Sequence, residues 1–300
     1  GKSVVTGGEI MIENRSPGDR IFIGTVYIIT GLMALMCLYP MLHVLFASIS
    51  DPIRLMQHTG VILKPLGFSL EGYKIVLKNP NIPVSYLNTI IYVVVGTSIN
   101  ILMTTLGAYA LSRKGYMFKK TITLLIVFTM YFNGGLIPNF LLVKALGMYN
   151  TIWALVVPGA ISTWNLIVMK TCFQAIPVSL EESARLDGAN DFVILLKVFL
   201  PLSKATMAVM LLFYAVTQWS SWFNAMIYLS DRKKFPLQLI MREILIANST
   251  SGNTMDSDVM FLEEVVKYAT IIVSTVPVLC IYPFVQKYFM TGVMMGSVKE

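Results

Sequence analysis

EESARLDGAN, residues 181–190, is a polar, acid-rich decapeptide set between long apolar stretches of a chain that carries little charge elsewhere. Its neighbours define what it can form. The surrounding segment reads IPVSLEESARLDGANDFVILLKVFLPLSKA over residues 176–205. Ser179 is a candidate cap for a short helix with Glu181 and Glu182 in its first turn, where acids complement the positive helix end. Gly188 permits a tight reversal after Asp187, and residues 192–200 resume an amphipathic pattern up to Pro201. The expected local form is a helix, a glycine turn and a second helix. Ala184, Leu186 and Ala189 give it a small apolar face, and the acids with Arg185 and Asp187 give it a polar one. A solvated linker needs neither an apolar face nor a glycine hinge, so the pattern points to a surface that meets a partner.

Outward from this segment the chain is oily. Of its 300 residues, 56% are hydrophobic and 13% are charged, and the mean hydropathy is +0.70. Ordinary soluble domains carry roughly a quarter charged residues. The 23 basic and 16 acidic side chains are too few and too clustered to form a charged shell. Six runs lack Asp, Glu, Lys and Arg: residues 21–48, 79–112 with a spanning part at 86–110, 121–143, 145–169, 205–230 and 268–286. At about 1.5 Å per residue, roughly 20 apolar residues cross a hydrocarbon core of about 30 Å. The expected fold is therefore an all-α integral membrane protein with six transmembrane helices. It divides into an N-terminal tail (residues 1–20), a six-helix domain (21–290) that includes the loop 176–205, and a C-terminal tail (291–300). The first run exceeds a signal-peptide core of about 7 to 15 residues, so it reads as an uncleaved span.

Orientation follows from the short links. Arg113, Lys114, Lys119 and Lys120 crowd the link between spans two and three, whereas the next link holds only Lys144. Positive charge marks the cytoplasmic side, which places both termini and the decapeptide inside and residues 51–78 and 231–267 outside. In the first outer segment, Ser69 is a candidate cap for a helix through Lys78 that stops at Asn79-Pro80. The net charge of +7 forms no basic stripe interleaved with aromatics, so nucleic acid is not an expected partner. Cys37, Cys172 and Cys280 form no C-x-x-C pair and His43 and His58 are the only histidines, so neither a disulfide framework nor a metal site is expected.

The order Glu182, Ser183, Ala184, then Asp187, Gly188, Ala189, then Leu200, Pro201, Leu202, Ser203 resembles the EAA loop of bacterial ABC import permeases. That pattern is approximately E-A-A-x-x-x-D-G-A, an apolar segment and L-P-L-S; this chain departs at Ser183 and Ala205, where the family usually has alanine and often proline. Asp19-Arg20, GFSLEGYKIVL (67–77), Asn88-Thr89 and GVMMGSVKE (292–300) are similar to the small permease subunit of carbohydrate importers of the maltose-importer type. The resemblance implies a multi-pass subunit of the bacterial cytoplasmic (inner) membrane, paired with a second permease as a heterodimer. It also implies two ATP-binding cassette subunits that hold ATP and Mg, an external solute-binding protein and an oligosaccharide substrate moved by alternating access. Glu181, Glu182, Ser183, Ala184, Arg185, Leu186, Asp187, Gly188 and Ala189 would then form the coupling helix and turn, with Gly292, Met295 and Gly296 of the tail also reaching the ATPase pair. The phosphate-loop pattern G-x-x-x-x-G-K-[ST] does not occur in the 300 residues, so hydrolysis is assigned to a partner and this chain is not expected to be an enzyme.

Polar groups inside a span are costly unless they are paired or face a cavity. In QWSSWFNA (218–225), Gln218, Ser221 and Trp222 share a helical face at i, i+3 and i+4. Asn133 in span three and Trp164-Asn165 in span four have the same character. Aromatic rings stack on the apolar faces of sugars and amides bond their hydroxyls, which makes these residues candidates for a substrate path. The other reading is helix packing, where such bonds average about 0.6 kcal/mol. Gly134-Gly135 with Pro138, and Pro158-Gly159, are expected to interrupt spans three and four. Lys64, Lys74, Lys78, Arg232, Lys233, Lys234 and Arg242 make the outer face basic, as suits an acidic oligosaccharide such as alginate fragments. An ATP-independent carrier or channel is the alternative, and the lack of charge in mid-span speaks against it. An intramembrane hydrolase would need machinery such as H-E-x-x-H or G-x-S-x-G, neither of which occurs.

Overall fold

Long uncharged runs satisfy their backbone internally as helices, and glycine or proline interrupts them. The computed structural model describes residues 17–113, 115, 117–250, 262, 264–280 and 283, and among these it contains helices and no strands. Helix α1 (Pro17–Ser48) starts with a proline and carries Asp19 in its first turn, both suited to a helix N-terminus. Helix α4 (Asn81–Ser112) is equally long at 32 residues, so each reaches about 48 Å. Between them lie α2 (Pro52–Gln57), capped by Asp51, which accepts from the Arg54 amide at 3.1 Å, and α3 (Glu71–Lys78). Helix α3 ends at Asn79 as expected, but Leu70 rather than Ser69 occupies its cap, and Ser69 Oγ only accepts from the Glu71 amide at 3.3 Å.

The remaining apolar runs are broken. Helices α5 (Lys119–Tyr131) and α6 (Leu136–Ala145) meet at 114° across residues 132–135, where Gly135 adopts a φ of +92°. Helix α7 (Trp153–Val156) is separated from α8 (Thr163–Gln174) by the non-helical segment 157–162, which contains Pro158-Gly159. Both interruptions fall where glycine and proline were expected to place them. After α9 (Val178–Leu186) and α10 (Asp191–Ile194), a π-helical turn, Leu195–Phe199, runs into α11 (Leu200–Leu202). The chain then bends by 87° at Ser203 into α12 (Lys204–Trp219). The helix thus persists through Pro201 instead of stopping there: the wider turn ahead of it relieves the missing proline N–H. Helices α13 (Phe223–Tyr228), α14 (Leu237–Thr250) and α15 (residues 264–280) follow. Among the described residues, two helices are long and apolar enough to cross a membrane, or four if each bent pair counts as one span.

Helix α4 organises the rest, packing along α8 and α12. Its buried positions Ser85, Thr89, Gly96, Asn100, Thr104 and Ala108 recur at spacings of four and seven and form one stripe of small or polar residues. Apolar burial drives association weakly inside lipid, so close backbone approach through such a stripe takes its place. Helix α1 differs: none of its most apolar window is buried against the chain, leaving Ile21, Leu32 and Met36 exposed for lipid or another subunit. The two ends of α4 hold different segments. At its N-terminal end Asn88 Nδ2 donates to the Lys233 and Phe235 carbonyls at 2.7 and 3.1 Å, and Tyr92 donates to the Lys234 carbonyl at 2.6 Å. At its C-terminal end Arg113 meets Glu181.

Candidate functional site

The decapeptide forms the helix and turn expected of it, with one change at its start. Helix α9 begins at Val178 behind Pro177, whose fixed φ suits the cap and whose carbonyl accepts from the Leu180 amide at 3.2 Å. Ser179 therefore lies within the first turn and caps nothing. The helix closes with the Ala189 amide donating to the Ala184 carbonyl and the Gly188 amide to the Arg185 carbonyl, both at 3.0 Å, and with Gly188 at a φ of +83°. This is the Schellman ending that glycine favours, with its usual apolar contact supplied by Ala184 and Ala189 on the core below. Leu186 does not join them: it projects outward, 88% exposed, beside the exposed Glu182, Ser183 and Asp187. The expected single apolar face is thus split, because the two alanines turn inward at the helix end and the leucine falls on the opposite side. Asn190 then caps α10 by accepting from the Val193 amide at 2.9 Å.

Glu181 faces inward and pairs with both Arg113 and Arg185, while Glu182 is exposed and, among the described residues, forms no ion pair. Arg185 also pairs with Asp191. The hydrogen bond with Glu181, and then the charge of Asp191, hold the Arg185 guanidinium above its ordinary value, so it remains charged at every physiological pH.

A cleft of about 380 Å³ opens between α4, α8 and α12. It is lined by Asn100, Asn165, Gln218 and Asn224, by the hydroxyls of Ser162, Thr217, Ser221 and Tyr214, and by apolar groups including Phe213. That volume falls within the roughly 300–1,000 Å³ of small-molecule sites. Asn100 anchors its floor: it is fully buried, donates to the Gly159 carbonyl at 2.6 Å and accepts from Gln218 Nε2 at 3.2 Å. Gly96 makes room for that amide, since a Cβ there would sit 2.8 Å from Gln218 Nε2. Tyr214 hydroxyl bridges Thr104 Oγ1 at 2.6 Å and the Ser162 amide at 3.1 Å, fixing the start of α8. Side chains from α4 and α12 thus satisfy the Gly159 carbonyl and the Ser162 amide in the break between α7 and α8. A second cavity of about 350 Å³, lined by Asn139, Val143, Pro158 and Tyr228 among others, shares Gly159 and Asn224 with the first.

Of the residues proposed from sequence for a path, Asn165, Gln218 and Ser221 converge on the cleft. They do so without the helical face expected for span five, because α12 ends at Trp219 and Ser221 and Trp222 lie in the break before α13. Trp222 is turned away instead, its ring 4.0 Å under the Arg242 guanidinium. Trp164 is 60% exposed and lies outside the cleft lining. Asn133 sits in the exposed α5–α6 bend, where Oδ1 accepts from the Gly135 amide at 3.0 Å and from Asn139 Nδ2 at 3.4 Å, touching the second cavity only through Asn139. Gly292, Met295 and Gly296 lie outside the described residues. Sequence reasoning did not single out Asn100, Tyr214 or Asn224. The spacing of Asn100 by four from Gly96 and Thr104 was the available signal.

No family model matches the chain. The polygalacturonan/rhamnogalacturonan transport system permease protein YtcP of Bacillus subtilis is 40% identical over 284 residues, covering 94% of this chain and 99% of that protein. Protein LplC of the same organism is 36% identical over 294 residues, covering 97% and 99%. Among solved structures, a bacterial ABC transporter involved in the import of the acidic polysaccharide alginate contains a chain 35% identical to this one, with a TM-score of 0.82 over 92% of this chain and 99% of that one. With identity at this level along almost its whole length, the chain belongs to the permease subunits of ABC sugar transporters.

Proposed function

We propose that this permease forms one half of a heterodimeric pathway for acidic oligosaccharides, with the neutral cleft around Asn100 as its share of the route. As a membrane-embedded permease of an ATP-driven carbohydrate importer, it has no ATPase site of its own and depends on partner subunits for hydrolysis. In this reading the chain crosses the cytoplasmic membrane six times, with the two bent helix pairs and the α7–α8 unit each contributing to the count and both termini inside. The coupling unit, residues 176–205, docks on an ATP-binding subunit, which holds ATP and Mg, through Glu182, Ser183, Leu186 and Asp187. The C-terminal tail, with Gly292, Met295 and Gly296, reaches the same ATPase pair, and an external binding protein delivers the sugar.

The observation that carries the proposal is the cleft lining. Carboxamides and hydroxyls can bond sugar hydroxyls in either sense, the neighbouring aromatic rings can stack on a sugar face, and among the described lining residues there is no charge to serve an ion relay. An ATP-independent carrier has no comparable support. The acidic character of the substrate rests on the polyuronide and alginate substrates in the relatives' names and on the outer cations. Arg232 is paired with Glu243 and Lys234 with Asp231, whereas among the described residues Arg242 rests on Trp222 and Met226 and leaves most of its donors open to an anion. Reconstitution with its partners in liposomes tests this. Uptake should favour uronate oligomers over neutral oligomers of the same length, and equal uptake of the two would remove the acidic reading.

A further inference from the structure

We infer that Arg113, outside the EAA sequence, is the positioning residue that ties the coupling helix α9 to the long helix α4. The inference rests on the reading of α9 as the ATPase-docking element. Arg113 is the cap residue that follows Ser112 at the end of α4, and it stands 68 positions before Glu181 in sequence. The pair is largely hidden, with side-chain exposures of 16% and 17%. Burying two charges is unfavourable unless their remaining groups are also bonded, and here they are. The guanidinium lies over the Phe199 ring at 4.1 Å and the Tyr109 ring at 4.9 Å, and its Nε and Nη2 donate to Ser112 Oγ at 3.1 and 2.9 Å. Glu181 accepts in turn from Arg185, Arg185 donates to Asp191, and Asp191 accepts from Tyr109 at 3.4 Å.

The contacts close into a ring: Arg113, Glu181, Arg185, Asp191, Tyr109 and back to Arg113 through the tyrosine face. The ring joins α4, α9 and α10, and the Phe199 ring under the guanidinium adds the π-helical turn. Packing adds only small side chains at this joint. Helix α9 meets the core beside α4 through the short side chain of Ala184, and a cavity of about 210 Å³ lined by Arg113, Lys119, Phe173, Gln174 and Glu181 lies next to the ion pair. A hollow cannot transmit a push, whereas a preorganised guanidinium fork held between two rings can. A displacement of α9 then moves the end of α4, and with it the Asn100 floor of the cleft three turns away.

The test uses the complete transporter in liposomes with its binding protein and a uronate oligomer. Arg113→Met should retain the ATPase subunits in full stoichiometry and keep substrate-independent hydrolysis, while sugar imported per ATP falls at least about fivefold, the lower end of ordinary coupling between sites. Glu181→Gln should lower the same ratio, and the double variant should be no worse than the poorer single, because both remove one connection. Arg113→Lys keeps the charge and the fold but lacks the flat fork, so it should recover only part of the loss. An unchanged ratio in Arg113→Met, additive losses in the double variant, or loss of the ATPase subunits from Arg113→Met would overturn the inference. A separate variant, Leu186→Asp, addresses the docking reading. Loss of the ATPase subunits there supports it, and their full retention with normal uptake overturns both that reading and the inference built on it.

Discussion

Replacing Gly188 by valine isolates one physical quantity, the cost of a left-handed backbone at the end of α9, the proposed coupling helix. Gly188 has a φ of +83°, and a Cβ placed on it would meet nothing within 4 Å. The Cβ itself meets no clash, so the leading effect is conformational. An L-residue in this region is disfavoured by about 1–2 kcal/mol, with a β-branched side chain at the unfavourable end. At about 1.4 kcal/mol per factor of ten, the balance between formed and opened turn shifts roughly five- to thirtyfold. Two hydrogen bonds report it directly, donated by the Gly188 N–H to the Arg185 carbonyl and by the Ala189 N–H to the Ala184 carbonyl. Hydrogen exchange of a peptide covering residues 183–190 in the purified complex should accelerate by that factor, and substrate-stimulated ATP hydrolysis should fall with it. Gly188→Asn provides the control, since asparagine tolerates the left-handed region and should lose far less. Wild-type exchange and stimulation in the valine variant would refute the reasoning, as would equal damage from asparagine, which would assign the effect to bulk.

Other positions give sharper readings of packing and specificity. Gly72→Ala would place a Cβ 2.8 Å from Val265 Cγ1 and 3.1 Å from the Val265 carbonyl oxygen, so thermal unfolding in detergent should show a loss of about 1–3 kcal/mol. Gly24→Ala, with open space around it, should show no loss. Asn100→Leu strips the Gly159 carbonyl and Gln218 of a buried partner, each worth about 1–3 kcal/mol. Uptake at subsaturating sugar should drop together with thermal stability, and unchanged values for both would mean that the cleft floor does not depend on Asn100. Arg242→Gln shortens the side chain, leaves a single neutral amide donor group and removes the charge, so uptake of uronate oligomers should weaken while neutral oligomers are unaffected.

Much of this molecule follows from neighbours in sequence. A low charge content and long uncharged runs imply a membrane protein because lipid rewards apolar surface wherever it occurs. The decapeptide's turn was readable because a Schellman ending depends on a glycine that tolerates positive φ, six residues of local hydrogen bonding and little else. The breaks at Gly134-Gly135 and Pro158-Gly159 were readable for the same reason, whereas the break at residues 220–222 carries neither glycine nor proline and passed as continuous helix.

What the chain's own order did not reveal is convergence. Asn165, Gln218 and Ser221 shared a polar character in sequence with Asn133, Trp164 and Trp222, but only packing against α4 brought the first three to one cleft and left the others at a bend, on the surface and under an arginine. Arg113 read as one more orienting charge in a basic link, and its partner lay 68 residues away. Local stereochemistry is written in adjacent residues and so can be read from them. Which buried polar groups meet depends on how α4 packs against α8 and α12, and that is decided only when the whole chain has folded.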